Sequence, residues 1–311
     1  MNPGARLERT VGGVTFPTPV IICSGVWPFE PDLWERKNLP GVGGVCTKAV
    51  TASPRTGNEG HRVWETPCGV LNSIGLQNCG VDAFLDTHLP LISKSGIPFL
   101  VNVAMESEEE VVHTLGLLSN HKEEIPGVEL NISCPNVSGG GMSWGMTPEG
   151  ASQAVSIARR AWKGPLWVKL TPQMRDPHEV AKAVEASGAD ALVVANTWLG
   201  MAMDVERAQP VFQRIFAGLS GPAVFPLALR LVWDIAGCVR IPVVGCGGIT
   251  VPEDAIAMLQ AGAQAVEIGS AIFRSLDAPE TLCRGITDYL DRHGLDDVGS
   301  LSGMARTDVR R

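Results

Sequence analysis

Between Asn131 and Asn136 the chain reads NISCPN, a thiol at Cys134 followed by the rigid Pro135 and bracketed by two amides. A free thiol titrates near pH ~8.5, so a modest shift from its surroundings makes it a proton acceptor or nucleophile at neutral pH. No histidine follows closely, which argues against a Cys-His hydrolase, while the next residues, NVSGGGMSWG, carry the glycines of a lid. Packing as a small core hydrophobe is the plain alternative for any cysteine. Two lysines, Lys48 after VCT and Lys169 within WVKL, stand at the ends of apolar runs, and a cation placed there needs an anionic or electron-rich partner. A salt bridge within the protein would serve for one of them; two on one rim favour a ligand. Asn72, Asn131, Asn136 and Asn196 offer uncharged donors and acceptors for a planar, amide-rich substrate, although each alone also suits a turn or a cap. The turns GCGGIT and EIGSA bring backbone N–H groups close to where a phosphate would sit.

These groups need a scaffold that gathers strand ends. Eight short apolar runs supply one: PVIIC from Pro19, GGVCTK from Gly43, PFLVNV from Pro98, GVELN from Gly127, PLWVKL from Pro165, ADALVVAN from Ala189, IPVVGC from Ile241 and AQAVEIG from Ala263. Segments between them, such as PHEVAKAVEASGAD and VPEDAIAMLQAGAQ, repeat apolar residues at helical spacing and finish on glycine. The alternation predicts an α/β fold, a (β/α)8 TIM barrel with inserted loops at its C-terminal face. An open doubly wound sheet also accommodates eight parallel strands, so the count leaves closure open. The run ends, Ser24, Lys48, Asn102, Asn131, Lys169, Asn196, Gly247 and Ser270, are polar or glycine, as expected on the rim where barrels build their sites. Glycine turns at the last two strands match the place where barrels often hold a phosphate. Two connections, Ala49 to Gly96 and Thr197 to Arg240, exceed what a crossover helix requires and are expected to build the site. No linker is evident, and residues 1–311 are expected to form a single domain.

Composition narrows the class. A net charge of −8 argues against general nucleic-acid binding. None of the eight cysteines stands in a CxxC pair, which disfavours disulfides and zinc. No apolar stretch suits a signal peptide or a membrane span, so the expected location is cytoplasmic.

In order along the chain, TKAVTASPRTGN, GVLNSIGLQN, LNISCPNV, VKLTP, ANTWLG, GLSGPA, GCGG and IGSA resemble the dihydroorotate dehydrogenase family over nearly the whole sequence. The resemblance is to class 1, most closely the NAD-linked 1B catalytic subunit, because class 2 carries serine as the base and an N-terminal membrane-associating extension. It implies an FMN-containing barrel that oxidises dihydroorotate to orotate in pyrimidine synthesis, with Cys134 removing the C5 proton as a hydride leaves C6 for the flavin. The matching flavin positions are Ser24, Gly25, Lys48, Ala49, Asn131, Lys169, Val194, Gly221, Gly247, Gly248, Gly269 and Ser270. The matching substrate positions are Lys48, Asn72, Ile74, Gly75, Leu76, Asn131, Asn136, Asn196 and Thr197. Class 1B further implies a partner subunit carrying FAD and a [2Fe-2S] cluster, and the resemblance leaves a homodimer or a heterotetramer open; this chain lacks the four-cysteine pattern of such a cluster. Cys79, where proline is usual, and Trp144, in a lid that often carries Phe, depart from the family pattern. Alternatives are a stand-alone 1A-like enzyme reducing fumarate or another soluble acceptor, a related dihydropyrimidine oxidoreductase, a flavin-binding protein without this substrate, and a Schiff-base lyase or aldolase using Lys169.

Overall fold

The computed structural model describes residues 6–133 and 144–306. Each of the eight apolar runs forms a strand, here β1 (Val20–Ile22), β2 (Gly44–Cys46), β3 (Phe99–Ala104), β4 (Val128–Asn131), β5 (Leu166–Lys169), β6 (Ala191–Val194), β7 (Val243–Cys246) and β8 (Ala265–Ile268). All pair in parallel in chain order, and the ladder of β8 on β1, through Val266 with Val20 and Ile268 with Ile22, closes the ring. Closure settles the choice between barrel and open sheet in favour of a (β/α)8 barrel.

Strands covered on both faces read as near-continuous apolar runs, which is why these eight were visible in the sequence. Alternate residues divide between two cores. Val20, Val45, Val101, Leu130, Val168, Leu192, Val243 and Val266 belong to the large cluster shared with the helices. Ile21, Cys46, Leu100, Trp167, Val193, Val244 and Ala265 fill the barrel itself. A hairpin, Arg9–Val11 paired with Val14–Phe16, adds Val11, Val14 and Phe16 to that inner cluster and plugs the N-terminal end. Phe16 meets Trp167 edge to face at 5.6 Å, and Trp167 Nε1 donates to the Gly12 carbonyl at 3.3 Å. Trp167→Ala is expected to cost about 3–5 kcal/mol, because a wholly buried indole leaves a void that the closed barrel cannot collapse into. Urea unfolding would measure it.

The crossover helices are α1 (Leu89–Lys94), α2 (Glu108–Ser119), α3 (Pro148–Ala161), α4 (Pro177–Ala186), α5 (Phe225–Ala236), α6 (Pro252–Gln260), α7 (Ser270–Arg274) and α8 (Ala278–His293). Three begin with side-chain caps that satisfy otherwise unpaired N–H groups: Ser107 accepts from Glu110, Thr147 from Gly150, and Asp176 from His178 and Glu179. Among the described residues no helix is long and apolar enough to cross a membrane.

The two long connections fold together. Val63–Thr66 and Gly69–Asn72 from the first join Trp198–Met201 and Phe216–Ser220 from the second in one antiparallel sheet of four strands. Gly218 opposite Asn72 is the register pair that carries Asn72 across to the second insertion. Arg55 pairs with the buried Glu106 just beyond β3, tying the first insertion to the barrel.

Candidate active site

At the C-terminal ends of β4 and β6, three polar side chains meet. Asn131 Oδ1 accepts from the Ser133 hydroxyl, from Ser133 N at 3.1 Å and from Asn196 Nδ2 at 3.4 Å, and Asn196 Nδ2 also reaches Ser133 Oγ. Asn196 Oδ1 accepts from Thr197 N at 2.8 Å. Gly218 links this group to the insertions: a Cβ there would fall 2.2 Å from Thr197 Oγ1 and 3.4 Å from Asn72 Nδ2, while Asn72 Nδ2 donates to the Gly218 carbonyl at 3.3 Å. Asn72, Asn131, Asn196 and Thr197, expected from sequence to share a site, therefore form one connected series. Ser133 was missed, although its place between Asn131 and Cys134 was a signal. Ile74, Gly75 and Leu76 follow the same inserted strand; the Ile74 carbonyl accepts from Asn58 N, Gly75 closes on Asn58, and the Leu76 carbonyl accepts from Asn78 Nδ2. Cys134 and Asn136 lie outside the described residues. Trp144, at the far end of that segment, sends Nε1 toward the Glu106 carbonyl at 3.5 Å, and Cys79 packs partly buried against the large core.

Lys48 follows β2, next to the buried Ala49, with its ammonium under the turn Ser24–Gly25; a Cβ on Gly25 would lie 3.4 Å from Nζ. Among the described residues no carboxylate pairs with it. Burial lowers its pKa, against a smaller raising effect of Cys23. An anion or an electron-rich carbonyl set against Lys48 would reverse that shift.

Lys169 stands among carboxylates of the barrel itself. Its ammonium lies 2.6 Å from Glu267 Oε2 and 3.7 Å from Glu129 Oε2, inside the barrel. The protein thus places two carboxylates beside this ammonium, the internal salt bridge that the sequence reading kept as the alternative to a ligand. Glu129 also accepts from Asn102 Nδ2 and from Cys46 Sγ, the latter at 3.2 Å. Asn102, expected at the rim, sits wholly buried within this group. Cys46 Sγ and the two carboxylates lie within 4.8 Å of one another, and the cation among them is Lys169. Burial lowers the Lys169 pKa, but Cys246, Glu129 and Glu267 raise it more, leaving it well above its ordinary value. Burial and then Glu129 push the Glu267 carboxyl well up, outweighing Lys169. Sequence reasoning passed over both glutamates; the signal was a single acid inside each of two apolar runs, GVELN and AVEIG, at the inward register.

The remaining rim is glycine-lined. Val194 ends β6 and precedes a cis peptide to Ala195. Gly221 packs on Gly69 of the inserted sheet and leads into α5 through the turn Pro222–Val224. Gly247 and Gly248 follow β7, and Gly269 and Ser270 pass from β8 into α7. At Gly248, φ is +74° and an added Cβ would fall 2.5 Å from Phe225 N, at the start of α5. Gly248→Ala is expected to cost about 1–3 kcal/mol, since it adds backbone strain and a backbone clash together. It should also push α5 away from the rim; the unfolding midpoint in urea would report the loss of stability.

The dihydroorotate dehydrogenase family model matches residues 6–290. The chain belongs to that family. Among curated relatives, the Bacteroides fragilis protein named dihydroorotate dehydrogenase B (NAD(+)), catalytic subunit, is 41% identical over 299 residues, covering 96% of this chain and 98% of the relative. Proteins of the same name from Porphyromonas gingivalis and Parabacteroides distasonis are 42% identical over 299 residues and 41% identical over 307 residues. These cover 96% and 99% of this chain and 97% and 100% of the relatives. On this rim Lys48 is a partly buried cation without a carboxylate partner among the described residues. The glycines after β7 and β8 are packed closely: a Cβ on Gly247 would fall 2.9 Å from Ala228 Cβ and one on Gly269 2.8 Å from Cys23 Sγ.

Proposed function

We propose that this chain is the catalytic subunit of a B-type dihydroorotate dehydrogenase, oxidising (S)-dihydroorotate to orotate in pyrimidine biosynthesis, with FMN as its cofactor. The observation that carries the reading is the connected series of Asn131, Ser133, Asn196, Thr197 and Asn72, a set of amides and hydroxyls suited to the imide and amide edges of a dihydropyrimidine. Bound FMN supplies the two-electron acceptor.

The residues assigned to hold FMN are Ser24, Gly25, Lys48, Ala49, Asn131, Lys169, Val194, Gly221, Gly247, Gly248, Gly269 and Ser270. Those assigned to the substrate are Lys48, Asn72, Ile74, Gly75, Leu76, Asn131, Asn136, Asn196 and Thr197. The amides orient the substrate ring, and Lys48, its charge destabilised by burial, gains from facing substrate or flavin carbonyls. Cys134 acts as the base, taking the proton from C5 of the substrate onto Sγ; Ser133, one residue earlier, is held by Asn131 and Asn196. Substrate oxidation removes that proton from C5 and two electrons with the second hydrogen from C6.

The partner assigned to this subunit carries FAD and a [2Fe-2S] cluster and passes electrons to NAD. Exposed apolar side chains on the inserted sheet, Leu199, Met201 and Phe216, support assembly with another subunit or a second copy. A cytoplasmic location accords with this partnership.

Anaerobic addition of dihydroorotate to the purified protein tests the reading. The yellow flavin absorbance should bleach and orotate should appear in equal amount. Yellow protein that dihydroorotate leaves unchanged would exclude the substrate, and colourless protein that takes up no FMN would exclude the cofactor.

A further inference from the structure

Inside the barrel two carboxyl groups share a single ammonium. Glu129 and Glu267 come from β4 and β8, and Lys169 from β5 stands 2.6 Å from one and 3.7 Å from the other. The three side chains are almost wholly shielded from solvent. With both acids ionised the group carries one uncompensated negative charge, which is costly in so dry a place. Hydrogen bonding shows where the deficit lies: Glu267 Oε1 and Glu129 Oε2 are buried oxygens without a hydrogen-bond partner. A proton is the smallest addition that would both neutralise the group and provide a missing donor.

We propose that Glu129 and Glu267 form a carboxyl pair that takes up one proton when the flavin held beside Lys169 is reduced. The inference rests on the flavin reading above. Reduction places two electrons from the substrate on the flavin, and negative charge developing near Lys169 competes with the carboxylates for the same ammonium. The pair then answers by binding a proton from solvent, converting one carboxylate to a carboxylic acid, with Glu267 Oε1 as the receiving atom. Cys23 on the end of β1, Cys46 on β2 and Cys246 on β7 are the other titratable groups facing the pair. Burial raises Cys46, and a hydrogen bond donated to Cys23, followed by burial, raises Cys246, so both thiols are held toward their protonated forms.

The test is a redox titration of the flavoprotein with dithionite and a reference dye, followed by flavin absorbance between about pH 5 and 9, on wild type and Glu267→Gln. Glutamine is permanently neutral and so mimics the protonated pair. The two potentials should coincide at the acidic end. The wild type should then fall below the variant as pH rises, by about tenfold in the reduction equilibrium per pH unit, or ~30 mV for a two-electron couple, through the window where the pair titrates. Parallel lines would overturn the proposal.

If Glu267→Gln fails to fold or to hold flavin, Glu267→Asp decides. It keeps a carboxyl but draws it away from Lys169, so the bend in the wild-type line should move to higher pH; an unmoved bend, or no bend in either protein, overturns the idea. A bend abolished by Cys246→Ser would assign the proton to a thiol and likewise overturn it. Dithionite reduces bound flavin whatever the substrate, so parallel lines in protein that dihydroorotate bleaches would remove this inference alone. Colourless protein that binds no FMN would remove both.

Discussion

Cys134→Ser should leave a yellow protein whose turnover of dihydroorotate at pH 7 has dropped by about 10²–10⁴-fold, the usual contribution of a positioned general base. A thiol near pH ~8.5 needs little help to accept a proton at neutrality, whereas a serine hydroxyl stays protonated throughout the accessible range. The loss should therefore appear in kcat rather than in KM, and the activity of the variant should keep climbing with pH after that of the wild type has levelled off. The substrate amides remain, because Asn131, Ser133 and Asn196 satisfy one another without the thiol. Steady-state kinetics across pH, with flavin content measured on the same samples, checks the prediction. Equal kcat in both proteins would move the base elsewhere.

Lys169→Met is expected to cost about 3–5 kcal/mol, since it strands Glu129 and Glu267 in a solvent-free interior without their cation. Its pH dependence carries a definite sign. The Glu267 pKa is raised in the folded protein by burial and by Glu129, and Lys169 is what lowers it, so removing the lysine raises it further. Between the unfolded carboxyl value near ~4.3 and that raised folded value, the folded state binds more protons than the unfolded chain, and stability falls as pH rises. The deficit of the variant should thus be smallest near pH ~5 and grow toward neutral and alkaline pH. Lys169→Met/Glu267→Gln should recover much of the loss by removing one stranded charge. Urea unfolding at three pH values would measure this; a deficit independent of pH, with no recovery in the double variant, would mean that the ion pair is not the cause.

What could be read along the chain is local chemistry. PVIIC, PLWVKL and the other six runs announce themselves because parallel strands buried on both faces need unbroken apolar residues. The helices after them carry their own caps, as at Asp176 with His178 and Glu179. Rim positions were expected from the same runs, since a polar residue or glycine ends nearly every one, but Asn102 and Lys169 turn out to be buried inside the barrel. Motif order then sufficed to mark the family, and the matched family model agrees.

Tertiary structure decided the rest, wherever the partner lies far off in sequence. Closure depends on β8 finding β1, which no window of residues encodes. The joint sheet of the two insertions depends on Asn72 meeting Gly218, 146 positions away. Most consequential is Lys169: its apolar setting announced a buried cation, but the sequence could not say whether ligand or protein would neutralise it. The nearest anionic partner lies 98 residues further on, at Glu267. A strand's own residues dictate its burial and its facing, while charge compensation inside a barrel is set by which strands the closed ring places opposite one another.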